Sequence, residues 1–175
     1  MELTIKTLRE LCSNDTIFMT RHVIQRCYER GITKKDIVYA IHHGEIIKQY
    51  ADDKPYPSCL VLGCCQNEKW LHVVVSSNGK GLFSSPHIIR ILKNGKKILK
   101  RERRNKHEVF YLRRNHGTRT DNFFSQLKTS ILIVKNVPCS KCRQCGEEYF
   151  DGDTIDRLED LMQTAENLAS ELLII

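Results

Sequence analysis

The chain has 175 residues, 41% of them hydrophobic and 28% charged, with a formal net charge of +7; that length suits one medium domain or two small ones. It holds no apolar run of membrane-spanning length, and Glu2, Lys6, Arg9 and Glu10 interrupt any N-terminal secretion signal. Eight cysteines in such a chain point to thiols or metal ligands in a reducing cytoplasm, not to a disulfide framework or a membrane protein.

The first eighty residues read as an α+β module. Leu3, Leu8, Leu11 and Cys12 mark one face of a first helix. Thr20 is placed to cap a second helix over Arg21 to Arg30, with Val23, Ile24, Cys27 and Tyr28 turned to the core and Gly31 as a left-handed C-terminal cap. Thr33-Lys34-Lys35-Asp36 has the form of a capping box and opens a third helix, closed at Gly44. Three strand-like runs follow, Glu45 to Tyr50, Ser58 to Cys64 and Trp70 to Ser76, separated by turn signals. Helices followed by an antiparallel meander is the α+β order. Cys12, Cys27, Cys59, Cys64 and Cys65 fall in apolar-patterned segments and read as small buried hydrophobes.

The polar face of the second helix carries the chemistry-bearing residues of this half. His22, Arg26 and Arg30 stand at i, i+4 and i+8 and so share one stripe. A histidine with two arginines on a rigid helix suits phosphate recognition with proton transfer, as RNA cleavage requires; a solvated helix face is the plainer alternative. His72 lies in an apolar strand, where a buried core histidine is the default, and it joins the catalytic candidates only as a second imidazole.

Basicity is concentrated further along. Between Arg90 and Arg119 twelve Lys/Arg face two Glu, a local balance of +10, so the rest of the chain sums to −3. The stretch has apolar runs such as Ile88-Ile89 and Ile98-Leu99 without clean amphipathic order. After it come a strand-like run, Ser130 to Val134, and the sequence Cys139-Ser140-Lys141-Cys142-Arg143-Gln144-Cys145-Gly146-Glu147. Cysteines two residues apart can both reach one tetrahedral zinc, and Gly146 permits the tight turn behind them. A structural zinc takes four ligands; Cys139, Cys142 and Cys145 supply two or three. Thr154 then opens a long C-terminal helix. Its positions Ile155, Leu158, Met162, Ala165, Ala169 and Leu172 alternate three-four spacings, so the helix either packs on its own domain or pairs with a second copy.

Two resemblances sharpen this reading. His22-Val23-Ile24-Gln25-Arg26-Cys27-Tyr28-Glu29-Arg30-Gly31-Ile32-Thr33, then Gly44-Glu45-Ile46-Ile47, Asp53 to Leu60 and Leu71 to Val75 occur in the order of a small bacterial family of unknown function. That family is similar to BrnT and other RelE-like toxins, and the likeness covers about residues 10 to 83. It implies a helix packed on a small antiparallel sheet, ribonuclease activity, and RNA or the ribosome as partner. Asn122 to Phe150, with its Ser130 to Val134 run followed by Asn136 to Phe150, resembles a YgiT-type zinc finger, the N-terminal module of MqsA-like antitoxins. This implies that Cys142 and Cys145 are the second zinc-ligand pair, that Cys139 is a spare thiol, and that a cognate toxin or antitoxin chain is a partner. The DNA-binding domain of such antitoxins has no counterpart in this chain.

Both resemblances imply a missing part. The zinc finger's first Cys-x-x-Cys would fall where the chain reads Val109-Phe110-Tyr111-Leu112, so the zinc site is expected to be incomplete, with little zinc held or weak binding helped by His107 or His116. The toxin-like half should close with a strand reading Ile-Ile-Thr-Ala-Tyr, which is absent after Phe83. Codons able to encode Ser84 to Ile88 give that peptide one frame away. One hypothesis is therefore that about residues 84–121 are read out of frame between two joined genes; the other is a genuine basic linker that binds RNA phosphates. Sequencing the locus distinguishes them. The expected organisation is a toxin-like α+β domain over 1–83, the basic segment over 84–121 and a zinc-finger-like module with its helix over 122–175. The function expected is a toxin–antitoxin-related composite; the alternative is a non-catalytic nucleic-acid-binding or zinc-binding interaction protein.

Overall fold

Short polar signals set the helix boundaries. In the computed structural model, which describes residues 3–13, 16–53, 56–65, 69–92, 119–141 and 147–171 (backbone alone for 84–92 and 170–171), helix α1 spans Ile5–Glu10 and begins at Thr4, whose side chain accepts from the Thr7 N–H. Helix α2, Arg21–Arg30, is capped by Thr20, whose hydroxyl accepts from the Val23 N–H, and ends at Gly31 with φ of 59°, a conformation that costs glycine nothing. Helix α3, Lys34–His43, starts on a complete Thr33/Asp36 capping box. Gly44 ends α3 in extended, not left-handed, backbone. A Cβ there would lie 2.4 Å from the Ala40 carbonyl oxygen and 2.5 Å from that of Leu62, so glycine is required for close approach.

Eight strands form one sheet. They are β1 Ile17–Thr20, β2 Glu45–Tyr50, β3 Ser58–Cys64, β4 Trp70–Ser77, β5 Leu82–Leu92, β6 Arg119–Gln126, β7 Ile131–Lys141 and β8 Glu148–Asp151, in the order β2-β3-β4-β5-β1-β8-β7-β6. The meander β2-β3-β4 runs antiparallel as its turn signals predict. The α+β class holds, but the sheet is larger than a small antiparallel meander and is mixed: β1 runs parallel to β5, through Ile17 opposite Leu82 and Phe18 opposite Phe83. On its other edge β1 pairs antiparallel with β8, Met19 opposite Phe150. The strands of the two halves are thereby continuous.

The N-terminal half is not left without a closing strand, because β5 continues past Phe83 and pairs with β4 as far as Leu92 opposite Trp70. The pairing breaks midway: Val75 faces Ser84 and Val73 faces Ile89, so two steps on β4 answer five on β5. Pro86 lies inside this break, where its lack of an N–H removes no ladder hydrogen bond. Of the basic segment, 93–118 lies outside the described residues.

The three long helices share the core on one sheet face. Val23, Ile24 and Cys27 of α2, Ile37, Ala40 and Ile41 of α3, and Ile155, Leu158 and Met162 of α4 (Gly152–Glu171) pack with Val61, Val73, Phe123 and Phe150 in a single buried cluster. Asp151 caps α4, its carboxylate accepting from the Thr154 N–H at 2.9 Å, three residues before the expected Thr154 cap. The helix uses the first half of its apolar stripe against its own sheet, whereas Leu168 is 55% exposed. The opposite sheet face carries Leu60 and Val74 with Tyr50, and a ring cluster in which Phe83 stacks on Phe18 and Tyr56 and meets Tyr149 edge-on. No helix among the described residues is long and apolar enough to cross a membrane.

Candidate functional site

Helix α2 presents His22, Arg26 and Arg30 to solvent, while Val23, Ile24 and Cys27 take up its inner face. At a rise of about 1.5 Å per residue, successive members of the stripe are about 6 Å apart along the helix axis, close to the spacing of neighbouring phosphates in a nucleic-acid strand. Arg26 donates from Nη1 to Glu29 Oε2 at 2.9 Å on the same helix. Both side chains are over 40% exposed, so this pair is worth about 0–1 kcal/mol and a bound anion can displace it.

The remaining polar residues of α2 are taken up by the C-terminal half. Arg21 forms an ion pair with Glu148 of β8, donates to the Asn122 carbonyl at 3.3 Å, and holds its guanidinium 5.6 Å from the Phe124 ring centroid. Gln25 acts as a substitute strand for the outer edge of β6. Its amide nitrogen donates to the Gln126 carbonyl at 2.9 Å, and its oxygen accepts from the Gln126 N–H at 3.0 Å and the Ser125 hydroxyl at 2.8 Å. An open sheet edge is thereby covered by a helix. Tyr28 donates to Glu166 of α4. Burial pushes the tyrosine up to about 12, helped by that carboxylate, and the tyrosine hydroxyl in turn holds Glu166 below the usual carboxylate range.

Where α2 meets the C-terminal strands there is a cleft of about 410 Å³ lined by Arg21, His22, Gln25, Phe124, Glu147 and Glu148, within the range of small-ligand sites. Lys141 braces its acidic side, 3.5 Å from Glu148 and 3.3 Å from Asp121. The hydrogen bonds of Asp121, first with the Asn122 N–H and then with Lys141, lower its carboxyl from the ordinary value.

Of the sequence candidates, the structure brings His22, Arg26 and Arg30 onto one face and puts His22 in the cleft. His72 does not join them. It is 3% exposed and alternates along β4 with Leu71 and Val73, which belong to the helix-side core, so it points to the opposite face. Cys139 lies in β7 opposite Arg119, within the helix-side core. Burial, then Glu148 and Asp121, raises its thiol from the ordinary value. Cys142 and Cys145 lie outside the described residues, as do His107, His116, Val109 and Leu112. No group of three or more His, Cys, Asp or Glu among the described residues is arranged to hold a metal ion.

Sequence reasoning did not find Arg21, Gln25, Phe124, Glu147 or Glu148. Arg21, Gln25, Phe124 and Glu148 meet partners a hundred or more residues away across α2 and the C-terminal strands, and Glu147 joins them only as a wall of the cleft, so no local spacing signals the site.

Residues 19–83 match a domain of unknown function, DUF4258. The matched segment runs from Met19 in β1 through α2, α3 and the meander to Phe83 at the start of β5, and so contains the whole stripe but only the α2 wall of the cleft. The match reaches neither a RelE-like toxin nor a zinc finger. No curated protein and no solved structure matches the chain.

Proposed function

We propose that this chain is a toxin–antitoxin-related protein, in which an RNA-directed domain of BrnT/RelE-like type is joined to an antitoxin-like cover of YgiT type. The observation that carries the proposal is the solvent-exposed His22, Arg26 and Arg30 stripe on α2, opening at His22 into the cleft. Two guanidiniums to hold a phosphodiester and an imidazole to move a proton are groups that attack by a ribose hydroxyl calls for. A covering role for the C-terminal half is supported by its hold on Arg21, Gln25 and Tyr28 of the same helix through Glu148, Gln126 and Glu166. RNA, the ribosome and a separate toxin or antitoxin chain are the partners this reading implies. Zinc on Cys142 and Cys145 goes with it.

A second reading, RNA binding without cleavage, is favoured by one feature of the cleft. Glu147 and Glu148 place two carboxylates in the pocket that His22 lines, where a phosphate would be repelled. Incubating the full-length chain with labelled RNA, with and without ribosomes, separates the two. Cleavage that falls about a hundredfold in His22→Ala and about tenfold or more in Arg26→Ala supports the enzyme. RNA binding without cleavage supports the second reading, and absence of both removes the RNA-directed proposal.

A further inference from the structure

The cleft beside His22 has a chemistry of its own, and assigning it a ligand rests on the RNA-directed reading. Its aromatic wall is Phe124, 44% exposed although it stands on a strand. The cation nearest that ring, Arg21, is committed to Glu148 and the Asn122 carbonyl. Gln25 is likewise committed, to the edge of β6. What the cleft offers a ligand is the exposed part of the Phe124 ring, beside the Arg21 guanidinium, and carboxylate oxygen. Glu147 is exposed, and the hydrogen bond it accepts among the described residues is a long one, 3.4 Å from the Tyr149 hydroxyl.

A phosphate is unsuited to such a place. A flat, neutral ring with N–H donors along one edge is suited to it, because the ring stacks while the donors meet the carboxylate. Among the RNA bases, guanine sets two adjacent donors, N1–H and its 2-amino group, on one edge, a pair that a carboxylate accepts in bidentate fashion. The backbone phosphates beside that base would continue along Arg26 and Arg30, since His22 belongs to both the cleft and the stripe. We infer that the cleft is a guanine subsite for single-stranded RNA, with Phe124 as its stacking platform and Glu147 as the acceptor for the base edge.

Fluorescence anisotropy with a labelled heptanucleotide of uridines carrying one central guanine, and its twin with a central adenine, tests this on the full-length chain. Wild type should bind the guanine strand about tenfold more tightly. Phe124→Ala should weaken that binding about tenfold, and Phe124→Leu, which keeps the apolar bulk, should weaken it as well. Glu147→Gln should bring the guanine strand to the level of the adenine strand. Arg26→Ala should weaken both strands alike. Equal binding of the two strands, or indifference to both Phe124 variants, with Arg26→Ala still weakening both, overturns the subsite and leaves the RNA-directed reading standing. Failure of either strand to bind overturns both.

Discussion

Among the described residues, Glu159 is a buried carboxyl through which pH acts on this fold. It sits on α4 and accepts the Lys34 backbone N–H at 2.7 Å, an unsatisfied donor at the start of α3. Lys34 beside it is 3% exposed, its ammonium 2.5 Å from Asp156 and 3.0 Å from the Gly152 carbonyl. Burial, with Asp156 adding to it, pushes the Glu159 carboxyl up to about 7 from an ordinary 4.5. A carboxyl raised on folding is harder to ionise in the folded chain than in the unfolded one. Its cost is therefore absent below about pH 4.5, grows as pH rises towards 7, and is fully present above that. It is on the order of 3 kcal/mol. Glu159→Gln keeps an acceptor for the Lys34 N–H and removes the ionisation. Wild type should lose stability relative to this variant between pH 5 and pH 8, and parallel denaturation midpoints across that range would contradict the assignment. The Thr20, Gly31 and Thr33/Asp36 caps were legible because each acts within three or four residues. A buried lysine at position 34 was not, because its carboxylate partners lie more than a hundred residues along the chain.

Among the elements, α2, α3 and the meander could be read from period and punctuation, whereas β1 could not. It is four residues long, Ile17, Met19 and Thr20 are all buried, and neither alternation nor a flanking turn pair announces it. Its strand character comes from β5 and β8 on either side. The seating of α3 on β3 was likewise hidden, since it depends on Gly63 having no side chain. A Cβ at Gly63 would lie 2.2 Å from the Ala40 carbonyl oxygen and 2.7 Å from the Ala40 Cα, both rigid helix backbone. Gly63→Ala should therefore force α3 away from the sheet and cost about 3 kcal/mol, the upper part of the range for overpacking. An unfolding free energy from urea titration within about 0.5 kcal/mol of wild type would mean that α3 is seated less closely.

At the scale of the whole molecule, the two halves recognisable in the sequence are joined by more than a linker. Met19 pairs with Phe150 across the β1–β8 ladder. Phe150 also meets Phe123 of β6 edge-on at 5.5 Å and belongs to the same buried cluster as Val23, Ile37 and Val73. Such sharing predicts that the described core unfolds as a single cooperative unit. The chain provides its own reporter, because its one tryptophan, Trp70, stands on β4 in the N-terminal half, eighty residues before Phe150. Truncating a buried phenylalanine costs about 3–5 kcal/mol. In Phe150→Ala the Trp70 fluorescence transition in denaturant should move down together with the loss of far-ultraviolet circular dichroism, in one step. If the halves fold independently, the Trp70 transition stays at its wild-type midpoint while part of the dichroism is lost earlier. That outcome would make the continuous sheet a docked pair of modules, and the contacts of the C-terminal half with Arg21, Gln25 and Tyr28 would become a reversible clasp on α2 beside the exposed stripe.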